Sequence, residues 1–288
     1  MNRELFSIQS LKTEELAASA YRVEYYSLLL FKGDNRFLVD GVPYRSQSHT
    51  ILFLAPYQSF RRLSGESGES GESGESGEIR LMQFHGDFYC IEYHKKEVAC
   101  NGLLFNNIYL SPHIEVAEGL WNEVMSILDK INEHNRPDTY FEAIVKSYLQ
   151  LILALSSKAK VEEIGKSEHA NPNVGEMSRF VELIEKHFIN ERNVSFYAAA
   201  FSLTTDSFSK KVKKEFAKTP SQLIQERVTL EAKKLLHLTY KSVKEIAAAL
   251  NFEDEFYFSR YFKKNVGLSP ARYREKTGIS IVAKKSME

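Results

Sequence analysis

Cysteine is scarce in this chain: 288 residues contain only Cys90 and Cys100. Two thiols at that spacing form neither a zinc motif nor a disulfide framework. Both are therefore expected as ordinary thiols in a reducing compartment. No stretch approaches ~18 consecutive apolar residues, which argues against a membrane-spanning helix. The N-terminus shows no charged segment followed by a long apolar run, so no secretory signal is expected and the location reads as cytoplasmic. Closely spaced histidines are also missing. His49, His85, His94, His113, His134 and His169 form no H-x-H pair of the kind a metal on β-strands would need. There is no Gly-rich phosphate loop and no G-x-S-x-G. These absences argue against an enzyme: no catalytic residue, metal ligand or cofactor is assigned.

Net charge is absent too, but only in sum. The chain has 38 Lys and Arg against 38 Asp and Glu. Residues 177–288 hold 21 basic and 13 acidic side chains, a net of +8, and residues 1–176 hold the compensating −8. A basic C-terminal half suits a polyanion, and an acidic N-terminal half does not.

The most informative stretch is VKEIAAALNFEDEFYFSRYFKKNVGLSPARY, residues 243–273. Val243, Ile246, Ala247 and Leu250 lie on one helical face. Asn251 stands where a turn between helices needs a left-handed residue. Asp254 opens a second periodic segment with Phe258 and Phe262 inward and Arg260, Lys263 and Lys264 elsewhere. Ser269-Pro270 reads as an N-cap followed by Pro at the first helical position. Helix, tight turn and basic helix make a helix-turn-helix.

The pattern occurs once before, with NVSFYAAAFSL over SVKEIAAALNF and FSKKVKKEFAKTP over FSRYFKKNVGLSP. Between the two units, Thr219 and Gln222 form a capping box with Pro220 at the first position, opening a long helix to about Leu238. Leu223, Val228, Leu230, Ala232, Leu235 and Leu236 are its expected packing face. A rigid connecting helix would fix the separation of two basic helices that read successive major-groove segments.

On SVKEIAAALNF, EFYFSRYFKKNVGLSP and ARYRE, residues 178–276 resemble the AraC/XylS family of bacterial transcription regulators. The resemblance implies recognition helices at about 205–217 and 254–266. It implies base contacts from Asp206, Ser209 and Lys210 in the first unit and from Glu255, Phe256 and Arg260 in the second. Arg260 is the strongest candidate for bidentate contact with guanine, and Lys210 is its counterpart. Phe256 is open to a thymine-methyl contact or to packing. Asp206 and Glu255 are open to cytosine contact or helix capping, with capping favoured for Asp206. Lys211, Lys213, Lys214, Lys263 and Lys264 read as phosphate contacts, as do the backbone amides at the helix starts near Ser221 and Ala271. Ala217 stands where the second unit has Gly267, which predicts a strained or altered C-cap.

The N-terminal half has a different texture. Residues 1 to about 20 are mixed and read as peripheral. YRVEYYSLLLFKG, FLVDGVPYRS, HTILFLAPYQSF and IRLMQFHGDFYCIEYH (79–94, read as two strands) are short β-type runs, and Asp40-Gly41 is a hairpin signal. The overall fold class is therefore multidomain α and β: a β-rich domain over 1–113, a helical pair over 114–157, a linker over 158–176, an all-α double helix-turn-helix over 177–276 and a tail over 277–288. The resemblance implies that the β-rich domain is a cupin-like barrel or jelly roll. Residues 64–78 are five copies of Ser-Gly-Glu, expected as a disordered loop because no apolar group offsets the entropy of ordering. Val116, Leu120, Val124, Ile127, Leu128 and Ile131 form one amphipathic helix, and Tyr140–Ser157 a second. Their stripes are open to covering the β-domain or to dimerisation.

Together these readings describe a DNA-binding transcription regulator. Its expected partners are double-stranded DNA, RNA polymerase, a second copy of the chain and a small-molecule effector. Control by protein contacts without a small ligand stays open, as does a cupin-type metalloenzyme. Tyr25 and Phe31 are open to lining a pocket or filling the core.

Overall fold

The structure, a computed structural model, describes residues 5–11, 21–63, 79–89, 102–133, 139–170 and 174–279. The chain divides into two compact units, one of Met1–Asn107 with Ser111–Gly165 and one of Ile108–Leu110 with Lys166–Glu288. The Ser-Gly-Glu array, Cys90 and Cys100 lie outside the described residues.

In the first unit the strands are β1 (Phe6–Leu11), β2 (Tyr21–Arg22), β3 (Tyr26–Phe31), β4 (Asn35–Val39), β5 (Val42–Ser46), β6 (His49–Leu54), β7 (Ser59–Leu63), β8 (Ile79–Phe84) and β9 (His113–Val116). They form two antiparallel sheets, ordered β1-β8-β3-β6-β9 and β2-β7-β4-β5. Asp40 and Gly41 close the β4–β5 hairpin with φ of 49° and 81°, as a two-residue turn with both central residues left-handed requires. The Asp40 carboxylate also accepts from the Ser59 amide at 2.8 Å, tying this turn to β7.

The five-stranded sheet is buried on both faces. Leu29, Leu52, Leu54 and Leu81 meet Phe37, Val39 and Phe60 of the other sheet. Leu28, Leu30, Ile51, Phe53, Met82 and Phe84 turn the opposite way, into a core shared with α1 (Glu118–Glu133) and α2 (Phe141–Ala170). A sheet covered on both sides needs continuous apolar strands, which is why LLLF and ILFL show no alternation. The four-stranded sheet alternates in β4, where Asn35, Phe37 and Val39 are buried and Arg36 is exposed.

Several expectations need correcting. β1 pairs with β8 over six residues from Phe6↔Phe84 to Leu11↔Ile79, so this part of the N-terminal stretch is a sheet strand. Of the two strands expected over 79–94, β8 forms; 86–89 are turn and bend, and 90–94 lie outside the described residues. Val116 ends β9, and the helical period starts at Glu118. α2 continues to Ala170 through much of the expected linker.

Of the two roles open to the helical stripes, Trp121, Val124, Ile127, Leu128 and Ile131 of α1 and Val145, Leu149, Ile152 and Leu153 of α2 take the first, packing on the sheet. Phe31 is a core residue against Phe37, with ring centroids 5.7 Å apart. Tyr25 is half-buried and lies edge-on to His85.

Among the described residues of this unit, His113 is the buried histidine. Its ring stands edge-on to Phe37 at 5.3 Å and to Tyr44 at 5.8 Å, and its Nδ1 has no hydrogen-bond partner among the described residues. Lys160 of α2 donates to the His113 carbonyl at 2.9 Å, to Ser111 Oγ at 2.8 Å and to Glu163 at 3.1 Å. Burial, followed by the nearby Lys160 ammonium, pushes the His113 pKa down to about 4. Among the described residues, no three His, Cys, Asp or Glu side chains cluster as metal ligands, and no helix is long and apolar enough to cross a membrane.

The second unit is helical: α3 (Val174–His187), α4 (Val194–Ala200), α5 (Thr205–Phe216), α6 (Pro220–Leu238), α7 (Val243–Ala249), α8 (Glu255–Val266) and α9 (Pro270–Thr277). Phe180 of α3 stacks edge-on against Tyr197 and Phe208. Phe258 and Phe262 occupy the matching place in the second half, with Phe252 and Tyr273 against them. α6 runs between the halves with Leu223, Ile224, Val228, Ala232 and Leu236 buried. Leu230 and Leu235, expected on the same face, are only partly buried.

Candidate nucleic-acid interface

Each half of the second unit is a short helix, a tight turn and a longer helix. The turns are alike in backbone: Ser202 and Asn251 both have φ of 54°. Asn tolerates that region through its short polar side chain, which bears out the reading of Asn251 as the turn residue.

The ends of α5 and α8 follow from local chemistry. Thr204 caps α5, accepting from the Ser207 amide at 3.3 Å. Asp254 caps α8, accepting from the Tyr257 amide at 2.6 Å. Asp254 therefore lies one residue outside α8. Ala217 leaves α5 in the left-handed region, with φ of 54°. Gly267 does the same for α8 at 84° without a Cβ penalty. An alanine held there costs about 1–2 kcal/mol, so the strain expected at Ala217 is present.

The connecting helix starts as expected. Thr219 and Gln222 form the reciprocal capping box with Pro220 at the first turn, and Ser269 caps α9 ahead of Pro270. A second capping box, Ser242 with Glu245 at the start of α7, is absent from the expectations above. Its signal, S-x-x-E before an apolar run, is nonetheless legible in the sequence.

Burial sorts the side chains of α5 and α8 into two faces. Phe208 and Val212 of α5 are buried, as are Phe258, Phe262 and Val266 of α8. On the other face of α5, Asp206, Lys210, Lys213 and Lys214 are exposed. On α8, the matching face carries Phe256, Arg260, Lys263 and Lys264. The spacing i, i+4, i+7 puts each set on one stripe.

Within these stripes the candidates differ. Lys210 and Asp206 form an ion pair at 2.8 Å, with side chains 78% and 75% exposed. The hydrogen bond that Lys210 donates to Asp206 raises the lysine's pKa. The cap hydrogen bond favoured for Asp206 is supplied by Thr204 instead, and Asp206 stands in the first turn, where its charge suits the helix dipole. Ser209 donates to the Thr205 carbonyl at 2.6 Å and is partly buried. Glu255 is partly buried in the first turn of α8. Phe256 is 69% exposed, so it does not serve as internal packing. Arg260 is exposed and makes no ion pair or hydrogen bond among the described residues. Lys211 is exposed beside the α5 stripe.

Two tyrosines anchor the short and long helices from behind. Tyr197 donates to the Glu191 carbonyl at 2.8 Å, and Tyr261 of α8 to the Gln225 carbonyl of α6 at 3.1 Å. Burial pushes both phenols up to about 12. Arg227 of α6 pairs with Glu185 of α3 at 2.8 Å and with Glu231 at 3.0 Å, and its guanidinium lies over the Phe188 ring at 4.0 Å.

Comparison with known proteins bears on this unit. Residues 197–276 match the family model of a helix-turn-helix domain. The chain is similar to the HTH-type transcriptional activator RhaS of Escherichia coli O139:H28 (strain E24377A / ETEC), with 26% identity over 143 residues, 50% of this chain and 49% of RhaS. It thus spans about half the length of the curated relatives it matches. Among solved structures it is similar to the C-terminal domain of AraT, a response regulator from Geobacillus stearothermophilus. That similarity has 28% identity and a TM-score of 0.35, and covers 38% of this chain and 90% of that one. It is also similar to an apo form of ToxT from Vibrio cholerae strain SCE256, with 16% identity, a TM-score of 0.41 and coverage of 95% of this chain and 97% of that one.

Proposed function

We infer, from the premise that residues 197–276 of this chain are a helix-turn-helix domain of the AraC/XylS family, that the protein is a sequence-specific DNA-binding transcription regulator. The observation that carries this is the pair of matching stripes on α5 and α8. Each presents exposed polar or aromatic groups near the helix start and lysines farther along, above a buried Phe-containing ridge. Early residues of a recognition helix reach base edges, and lysines beside them hold phosphates. In this reading Arg260 contacts guanine, Lys210 makes the simpler contact of the first head and Phe256 meets a thymine methyl. Asp206, Ser209 and Glu255 complete the base-reading set. Lys211, Lys213, Lys214, Lys263 and Lys264 hold the backbone.

The first unit supplies control rather than chemistry. It biases the chain between DNA-competent and incompetent arrangements in response to an effector or a protein partner. Control by a protein partner is supported by the filled space between the sheets, where Leu29, Phe37, Leu52 and Phe60 are at most 1% exposed. Self-association is supported by exposed apolar groups at the start and on the outward face of α2, where Tyr140 is 72% and Leu151 42% exposed. RhaS is a transcriptional activator, and activation through contact with RNA polymerase is the matching role here.

The test is genomic binding selection with the purified full chain on fragmented DNA at near-physiological salt. Enrichment of a motif with two boxes about one helical turn apart is expected. Enrichment of no sequence would overturn the reading.

A further inference from the structure

The first loop of the helical unit reaches across to the turn of the second helix-turn-helix. Arg192, between α3 and α4, donates through Nη2 to the carbonyl of Leu250, the C-cap residue of α7. Its guanidinium carbon lies 4.0 Å from the centroid of the Phe252 ring. Phe252 packs in turn on Phe258 and Tyr261 of α8. Two residues before Arg192, the side-chain amide of Asn190 comes within 3.5 Å of that of Asn251. Burial lowers the Arg192 pKa, and its Nε is buried without a hydrogen-bond partner among the described residues. Such a group stays only where other contacts hold it.

These contacts form a second link between the two reading heads, independent of α6. Each head packs on α6, and a single connecting helix resists bending better than rotation of one partner around it. The consequence is large on the scale of DNA. A recognition helix about 17 Å from the midpoint of two grooves one turn apart moves roughly 3 Å for a rotation of about 10°, close to one base-pair step. Arg192 suits the task chemically. Its planar fork can bond a helix-end carbonyl and stack on an aromatic face at once, which a lysine cannot do.

We propose that Arg192 is a positioning residue that sets the box spacing this protein accepts, by locking the turn of the second helix-turn-helix onto the first. The inference rests on the DNA-reading function proposed above. It assigns Arg192 no contact with DNA.

The test uses the full chain and a two-box duplex that the wild type selects from a random-sequence pool. Spacers between the boxes are then shortened and lengthened one base pair at a time, and a control duplex carries a scrambled first box. The wild type should lose about tenfold or more in affinity per misplaced base pair. Arg192→Ala and Arg192→Lys should each cut that loss to about threefold or less, with binding to the single-box control unchanged and helical circular dichroism intact. Unaltered spacing discrimination in both variants would overturn the proposal. So would an equal loss on the two-box and single-box duplexes, which makes Arg192 a support of the second head alone. If the wild type selects single boxes only, the spacing proposal is overturned and the DNA-reading function stands; if it selects no sequence at all, the DNA-reading function fails first and the inference falls with it.

Discussion

The Lys210 ammonium lies 2.8 Å from the Asp206 carboxylate one turn earlier on α5, whereas the equivalent pair on α8 is Arg260 and Phe256. The two reading heads therefore meet DNA with different electrostatics. The first has a cation already engaged, although an exposed pair of this kind is held only weakly. Asp206→Asn removes the pair and one negative charge. Affinity for a scrambled duplex should rise several-fold at fixed salt, while the specific duplex loses the base contact assigned to Asp206 and does not share that rise. Titrations on both duplexes check this; an equal rise on the two removes Asp206 from the base-reading set.

Arg260 has no competing partner among the described residues, so its loss is felt directly at the base it meets. Arg260→Ala should cost about 1–3 kcal/mol and relax discrimination at one position. A panel of duplexes with each base substituted in turn reads this out. A uniform loss across the panel assigns Arg260 to the phosphates.

Lys264 sits in the last turn of α8 with its side chain exposed. Lys264→Ala should flatten the dependence of log affinity on log salt by about one unit, with sequence preference kept. Binding isotherms across a salt series measure the slope, and an unchanged slope removes Lys264 from the footprint.

The left-handed Ala217 is the strained counterpart of Gly267. Ala217→Gly relieves that strain and loses part of the gain to the greater freedom of glycine in the unfolded chain. A net stabilisation of about 0.5–1 kcal/mol is expected. Thermal melting of the full chain checks it, and a lower melting temperature would mean the conformation is not strained.

His113 gives the first unit a pH-dependent stability. Its folded pKa of about 4 lies below the ordinary 6.5, so the unfolded chain binds the extra proton first. This contribution is fully present above pH 6.5 and is lost as pH falls toward 4, at up to about 1.4 kcal/mol per unit. Urea denaturation at pH 7 and pH 5 should show the loss in the wild type and a smaller one in His113→Phe. Equal pH dependence in both proteins would place the titration elsewhere.

Much of the helical unit is legible locally. Caps, the Asn251 turn and the Phe258–Phe262 ridge each depend on residues within a few positions, where spacing alone carries the information. The misreadings have a common cause. β1 reads as peripheral because its register comes from β8, about seventy residues away. Residues 158–170 look like a linker because they are polar, yet they extend α2. The buried Lys160 there is held by Ser111 and the His113 carbonyl, partners that no local pattern reveals. Phe256 reads equally as a base contact or as partly exposed packing until the exposed face of α8 is known.

The order of the parts is written in the chain: a β-rich half, two amphipathic helices, and two helix-turn-helix copies whose charge balance opposes that of the first half. Periodicity, capping and turn residues act over one or two helical turns, so they survive without any knowledge of the rest of the molecule. Which partner each buried face meets is settled by folding alone. It placed both faces of the five-stranded sheet in cores and brought Arg192 onto Leu250 and Phe252 across 58 residues of chain. The burial and the Arg192 link depend on packing between elements that are distant in sequence. No stretch of the chain specifies them alone.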